Sequence, residues 1–304
     1  MTFVGNSTGA FFERSLGQMG LLRERVEGLQ TQISTGVRIE RGSDDPVAAS
    51  RLRALTRLEV RGTTEAENAA RLEQDLNEAS DQIEGVTLIL QRARELAVAA
   101  ASDTSGVKGR TAIADELEQL GDELFARSNS LSITGVPLFG GTSGAPAFTR
   151  DAAGNVTYAG NNEVGTVPVA PGTAIERGVT GAQLFEYDVA GTPTSAFAAV
   201  TDLAIALRSA ADPAQAARDA IADLDAGLDN VNRSQTIVGT RLAWVEDIQR
   251  DQDIRAIAVA EKRSDIGDTD IADTIVRLQQ TLTALEASQA SFARVSGLTL
   301  FDAI

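Results

Sequence analysis

The sequence predicts a mainly α-helical protein. Its form would be a long antiparallel helical rod, a coiled-coil bundle built from both chain ends, with a small β-rich domain inserted in the middle. Three observations lead there. Apolar residues recur at alternating steps of three and four through both ends of the chain. Apolar residues make up 43% of the chain and aromatics only 4%, so Ala and Leu must supply most of the packing, which suits long helices. Eleven of the 27 Gly and five of the seven Pro lie between Gly135 and Pro193, so the breakers are concentrated in the centre. A length of 304 residues corresponds to two domains.

Residues 11–35 read as an amphipathic helix with the stripe Phe12, Leu16, Met19, Leu22, Val26, Leu29 and Ile33. Gly36 ends it and Gly42 marks a second break. In the SDDP segment that follows, Ser43 or Asp44 is suited to cap the next helix, Asp45 favours its positive end, and Pro46 fits its first turn. The stripe then runs unbroken from Leu55 through Leu72, Leu76, Ile83, Val86 and Leu90 to Ala100. A helix of roughly 55 residues would be about 80 Å long, beyond the usual length in a globular domain. Residues 102–110 read as a turn. A third helix to about Ser130 carries Ile113, Leu117, Leu120, Leu124 and Leu131, and the short turn makes it antiparallel to the second.

Residues 132–196 break the pattern: short apolar pieces alternate with turn signals, predicting about four to six short strands. Helix returns from about Ser195 to Ala210. Asp212 and Pro213 then open another long helix, whose stripe runs from Ala217 through Leu224, Val231, Val238 and Val245 to Ile266. The sequence GDTD interrupts at Gly267–Asp270, where Asp268 or Thr269 is placed to cap a last helix with the stripe Ile271, Ile275, Leu278, Leu282, Leu285 and Phe292. The chain closes with LTLFDAI, which includes Leu300 and Phe301. The first and last helices thus match in style, as do the second and the penultimate. The resulting division is a terminal helical part, 1–42 with 267–304; a helical rod, 43–131 with 197–266; and a β-rich outer part, 132–196.

The composition excludes several functions. There is no His and no Cys, which removes zinc ribbons, thiolate chemistry, disulfides and every triad or metal site that needs imidazole. The net charge is −16, and the densest basic cluster, Arg51, Arg53 and Arg57, is spaced around a helix, so no nucleic acid is expected as a partner. No window approaches 18 uninterrupted apolar residues, so no membrane is expected either. The N-terminus lacks the pattern of a cleaved secretory signal.

Candidate sites have structural explanations. Asp44–Asp45 reads as a cap with dipole pairing. DIGDTDIAD, Asp265–Asp273, lacks the spacing and terminal Glu of a calcium loop and reads as a helix break. GGTSG at 140–144 has no Gly-Lys-Ser/Thr and is not a phosphate loop. Trp244 reads as packing on the rod. A carboxylate-based enzyme in the middle part would have to use Asp151, Glu163, Glu176, Glu186 or Asp188, which form no motif. No catalytic residue, cofactor or metal is expected.

A two-way hairpin leaves much of an apolar stripe in water, and large exposed apolar stripes mark partner surfaces. Copies of the same stripe on neighbouring subunits would cover it, and a head-to-tail contact of that kind builds a helix or tube. The alternative is an ordinary antiparallel bundle with a sealed core; periodicity alone leaves both open.

Gln32–Ser50, QISTGVRIERGSDDPVAAS, resembles the N-terminal signature of the flagellin-like axial proteins of bacteria. The form DDPVAA, the segment LFGG at Leu138–Gly141 and the ending LTLFDAI resemble the hook-associated protein 3 family more than filament flagellins. Leu90–Ser102 is similar to a segment common to both groups. The resemblance covers roughly residues 1–140 and 197–304. It implies a structural subunit joining hook to filament, with flagellin as the alternative. It implies assembly through Phe12, Leu16, Met19, Val26, Leu29, Ile33, Ile271, Ile275, Leu278, Leu282, Leu285, Phe292, Leu300 and Phe301. The implied partners are copies of the chain, neighbouring hook-associated protein and flagellin subunits, and a cytoplasmic export chaperone on Ile275, Leu278, Leu282 and Leu285. Type III export without a cleaved signal, to the extracellular flagellum, is implied as well.

Overall fold

The structure is a computed structural model of the chain. It describes residues 4–102 and 106–301, with the backbone alone at 4–8 and 297–301. Among these residues are seven helices and six short strands, so the mainly helical class with small antiparallel strand pairs stands. The chain divides into two compact units: residues 1–60 with 255–304, and residues 61–254. Two helices, α2 (Pro46–Ala100) and α6 (Pro213–Gly267), contribute a segment to each.

The unit 61–254 is built on an antiparallel seam between α2 and α6. Gln235 Nε2 donates to Ser80 Oγ at 2.8 Å, Gln249 Nε2 donates to Glu73 Oε2 at 2.8 Å, and Arg94 pairs with Asp225. On α6 one row of buried positions runs Ala217, Leu224, Val231, Val238, Val245 and Gln252, each seven residues after the last, with Asn230 and Ser234 buried beside it. On α2 every member of the stripe from Ala69 to Ala100 is buried, at steps of three and four. A seven-residue apolar repeat keeps one face of a helix on its partner only if the pair supercoils left-handedly. Two further helices bury the second row of α2. Against it lies α3 (Val107–Ser128), with Arg92 paired to Glu116 and Arg127 lying over Gly85. Beside α3 is α5 (Ala196–Ser209), whose Arg208 reaches both Asp115 and Glu118.

Between α3 and α5 the chain forms three separate antiparallel hairpins: β1–β2 (Phe148–Arg150, Val156–Tyr158), β3–β4 (Thr166–Ala170, Thr173–Glu176) and β5–β6 (Glu186–Val189, Thr192–Ser195). An isolated two-stranded hairpin is marginal in water. Helix side chains hold these in place by their backbone carbonyls. Asn68 Nδ2 donates to Pro168 O at 2.9 Å, Gln252 Nε2 to Val169 O at 2.6 Å, and Asn230 Nδ2 to Glu186 O at 3.5 Å and, just before that strand, to Leu184 O at 2.9 Å. Arg177 pairs with Asp75, and Arg241 with Glu176.

The predicted LFGG segment supplies Phe139, which is fully buried in an aromatic cluster. Phe185 stacks on Phe197 with centroids 4.9 Å apart and meets Phe148 edge-on at 5.2 Å. At the start of α4 (Gly181–Phe185), a Cβ on Gly181 would stand 2.5 Å from the Phe148 ring, so the cluster closes only over glycine.

Several local expectations need correction: α3 ends at Ser128 and leaves Leu131 beyond it and exposed, and Trp244 is exposed rather than packed on the rod. The cap of α2 is Asp45, not Ser43 or Asp44: Asp45 Oδ1 accepts from Ala48 N at 2.9 Å, while the Asp44 carboxylate accepts from Arg41 N at 2.8 Å. Pro46 at the first helical position makes the preceding residue the cap. The cap of α7 (Ile271–Phe301) is Asp270, not Asp268 or Thr269: Asp270 Oδ1 accepts from Asp273 N at 3.1 Å. Thr269 N still donates to Gly36 O at 2.8 Å, which keeps the chain extended until that point. The third helix starts at Val107, so the turn is shorter than 102–110. By contrast Asp212 caps α6 as expected, accepting from Gln215 N at 3.0 Å.

Leu224→Ala, at a fully buried seam position, is expected to destabilise the unit 61–254 by about 2–5 kcal/mol. Trp244 is the only tryptophan and lies in this unit, so its fluorescence in a urea titration reads the loss. An unchanged midpoint would mean that the seam does not support the unit.

Candidate assembly surface

The unit of residues 1–60 and 255–304 holds most of the predicted assembly residues. In it α1 (Val4–Thr35) and α7 form an antiparallel pair. Phe12 meets Phe292 edge-on with centroids 5.2 Å apart, and Val37 forms a bridge to Asp268 at the other end. Met19 and Val26 are buried, at 7% and 8% exposure, and Leu29, Ile33, Leu278, Leu282 and Leu285 are half-buried. Leu16, at 56% exposure, Ile271 and Ile275 remain open to solvent. The structure therefore brings one row of the stripe together within the chain and leaves the other outside. Leu300 and Phe301 lie outside the residues whose side chains are described.

Further apolar side chains add to the open surface: Leu21, Val47, Leu58, Val60, Ile257 and Val276 are exposed. Leu58 stands on the predicted stripe of α2, which is buried only from Ala69 onward. The others lie off any stripe, and only a pair such as Leu21–Leu22 signals in sequence that an apolar band is two residues wide.

The STGVRI segment builds the turn at the closed end of the pair. Gly36 has φ +72°, in the region glycine adopts without strain. Arg38 N then donates to Gly267 O at 2.7 Å. The Arg38 guanidinium donates to Ile266 O at 2.6 Å from Nη2 and 3.2 Å from Nε. A cation on the last carbonyls of α6 complements the negative end of that helix. The same guanidinium stands 3.8 Å from the Asp45 carboxylate that caps α2. One arginine thus ties the C-terminus of α6 to the N-terminus of α2. The motif is visible in the sequence, but this role is not. A Cβ on Gly267 would stand 3.3 Å from Leu52 Cδ2, so Leu52 packs closely on this glycine.

The acids of the middle segment do not converge on a reactive group. Asp151 accepts from Ala153 N, Asn155 N and Asn155 Nδ2, and its bonds to Asn155 hold its carboxyl below the usual range. Glu176 is taken by Arg241. Glu186 and Asp188 line an open concavity of about 1250 Å³ with Asp202 and Asp223. Burial there raises the Asp223 carboxyl, and Asp202 and Asp219 raise it further. Burial also pushes the Tyr187 phenol upward, while Tyr187 Oη donates to Asp223 O at 2.9 Å. Among the described residues no group of carboxylates is arranged to hold a metal ion, and no helix is long and apolar enough to cross a membrane.

Residues 19–144 match the bacterial flagellin N-terminal helical region. The flagellar hook-associated protein 3 of Escherichia coli is 27% identical, with 97% of this chain and 98% of that protein covered. Over nearly its whole length the chain is similar to hook-associated protein 3. The Salmonella typhimurium hook-associated protein 3 is 26% identical at the same coverage, and a flagellin of Halalkalibacterium halodurans is 24% identical over 91% of this chain and 90% of its own. Among solved structures, one described as a flagellar hook-associated protein from Vibrio parahaemolyticus gives a TM-score of 0.68 at 22% identity, covering 74% of this chain and all of that one. The flagellar junction protein of Legionella pneumophila gives 0.60 at 13% identity, covering 71% of this chain and 99% of its own. These two show the fold.

Asp45→Ala removes the cap of α2 and the partner of Arg38. A loss of about 1 kcal/mol is expected, read as roughly fivefold faster amide hydrogen exchange at Val47–Ala49. Unchanged exchange would place the cap elsewhere.

Proposed function

We propose that this chain is a structural subunit of the bacterial flagellum that joins hook to filament. The observation that carries the reading is similarity over nearly the whole chain to two proteins named hook-associated protein 3, at higher identity than to the flagellin compared above. Its work is mechanical, with no chemical step. Residues 1–42 with 267–304 are the part that assembles, 43–131 with 197–266 the supporting helices, and 132–196 the outward part. The partners are copies of the chain and the adjoining hook-associated protein and flagellin subunits. Before export, a cytoplasmic chaperone covers Ile275, Leu278, Leu282 and Leu285. The chain leaves the cell by the flagellar type III route without a cleaved signal and works outside it.

The physical support is the open row of the α1–α7 pair. A soluble chain gains by removing Leu16, Leu21, Ile271, Ile275 and Val276 from water, at about 25 cal/mol per Å² of apolar surface buried. Leu29 and Leu282 are half-buried, so an aspartate there would disturb both assembly and the pair. Leu16 and Ile275 separate the two effects. Leu16→Asp and Ile275→Asp are expected to block incorporation into flagella while leaving the circular dichroism of the purified chain unchanged. Normal incorporation of both would remove this row from the assembly surface.

Deleting the gene tests the function directly. Bare hooks with unpolymerised flagellin in the medium are expected. Bare hooks with no major flagellin anywhere would make this chain the filament subunit, and intact filaments would remove both readings.

A further inference from the structure

We propose that the arginine face at the start of α2, carried by Arg53 and Arg57, docks on the acidic surface of residues 61–254 of a second copy of this chain. This deepens the reading above and rests on it only for the presence of a neighbouring copy.

The face is defined by what the other side of the helix does. Glu59 is taken by Arg263 of α6, and Leu52 lies against Gly267, so that side of α2 is turned to α6. At 100° per residue Arg53 and Arg57 fall on the far side, with Ser50 one turn before them. All three are exposed. From Pro46 to Leu58 the helix holds three arginines and no acid. Among the described residues neither Arg53 nor Arg57 has a carboxylate partner. Val60, at 62% exposure, adds apolar surface beside them.

The occupant follows from the way charge is divided. Residues 1–60 with 255–304 carry 13 basic and 14 acidic side chains, net −1; residues 61–254 carry 14 basic and 29 acidic, net −15. Nearly all of the chain's −16 therefore sits in one unit. Glu67, Asp81 and Glu84 on α2 and Glu246 and Asp253 on α6 are exposed, and none is in an ion pair among the described residues.

Two copies of such a chain repel, but screening limits the effect to about 8 Å at physiological ionic strength, so local charge decides which faces can meet. Unit 61–254 against its own copy is the most repulsive choice. The arginine face against that unit is attractive, gives each contact a direction, and repeats from copy to copy as a head-to-tail interface must.

The absence of cysteine supplies the test. Ser50→Cys, labelled with a benzophenone maleimide on intact flagella and irradiated, places a cross-linker beside both arginines without altering them. The expected product has twice the chain's mass and joins the label to a peptide from residues 61–254. In an Arg53→Glu/Arg57→Glu background its yield should fall about tenfold or more, and in Arg53→Lys/Arg57→Lys it should persist. Circular dichroism of the purified variants, unchanged from wild type, keeps misfolding out of the comparison. Cross-links to a different protein, no cross-link, or a yield indifferent to charge reversal would each overturn the proposal. The gene deletion does not involve this face, so it judges the junction reading independently.

Discussion

The seven-residue repeat on α6 is the constraint on which the larger unit depends. Six positions from Ala217 to Gln252 present one side chain per two turns to the seam, and five of them are Ala, Leu or Val. Nothing in that repeat distinguishes one register from another a heptad away. Three glutamines supply the distinction. Gln235 and Gln249 bond across to Ser80 and Glu73 on α2, and Gln252 reaches the backbone of the β3–β4 hairpin. Polar side chains in an apolar seam fix register at a cost in stability. Here the cost is visible: the Oε1 atoms of Gln235 and Gln252 are buried without a hydrogen-bond partner among the described residues.

With the seam in register, the hairpins have somewhere to sit. Each is too small to be stable alone, and together they form no continuous sheet. Asn68, Asn230 and Gln252 hold them by their main-chain carbonyls, and Asp75 and Arg241 by charge. The aromatic cluster then closes the region from the helix side, with Phe139, Phe148, Phe185 and Phe197 drawn from four separate segments.

These differences explain what could be read in advance. The stripe of α2 from Ala69 onward and the opening of α6 at Asp212–Pro213 are local patterns, and local patterns are legible. The six strands fell within the expected range because Gly and Pro punctuate them. The cap of α2 was ambiguous because Ser43, Asp44 and Asp45 are all cap residues; what selects Asp45 is the proline after it. The cap of α7 depends on a bond between Thr269 and Gly36, which lie far apart in sequence and leave no local signal. The same holds for Arg38. Its motif stood out, but its partners Ile266 and Asp45 belong to helices brought together only by the fold. Of the candidate surface, the sequence showed which residues are apolar. It did not show which row α7 would cover.

That division between a covered and an open row bears on how an assembly of such chains is stabilised. A stripe fully used within the chain would leave nothing for a neighbour, and a stripe fully open would leave α1 and α7 unsupported, since single helices gain most of their stability from packing. Burying Met19 and Val26 against α7 while exposing Leu16 and Ile275 satisfies both demands. The apolar row alone has no direction, because hydrophobic contact is not directional. Charge can supply direction: the unit that carries the open row is nearly neutral, and the unit of residues 61–254 carries a net −15. Apolar burial would then set the strength of a contact between copies, and the placement of charge would set which end meets which.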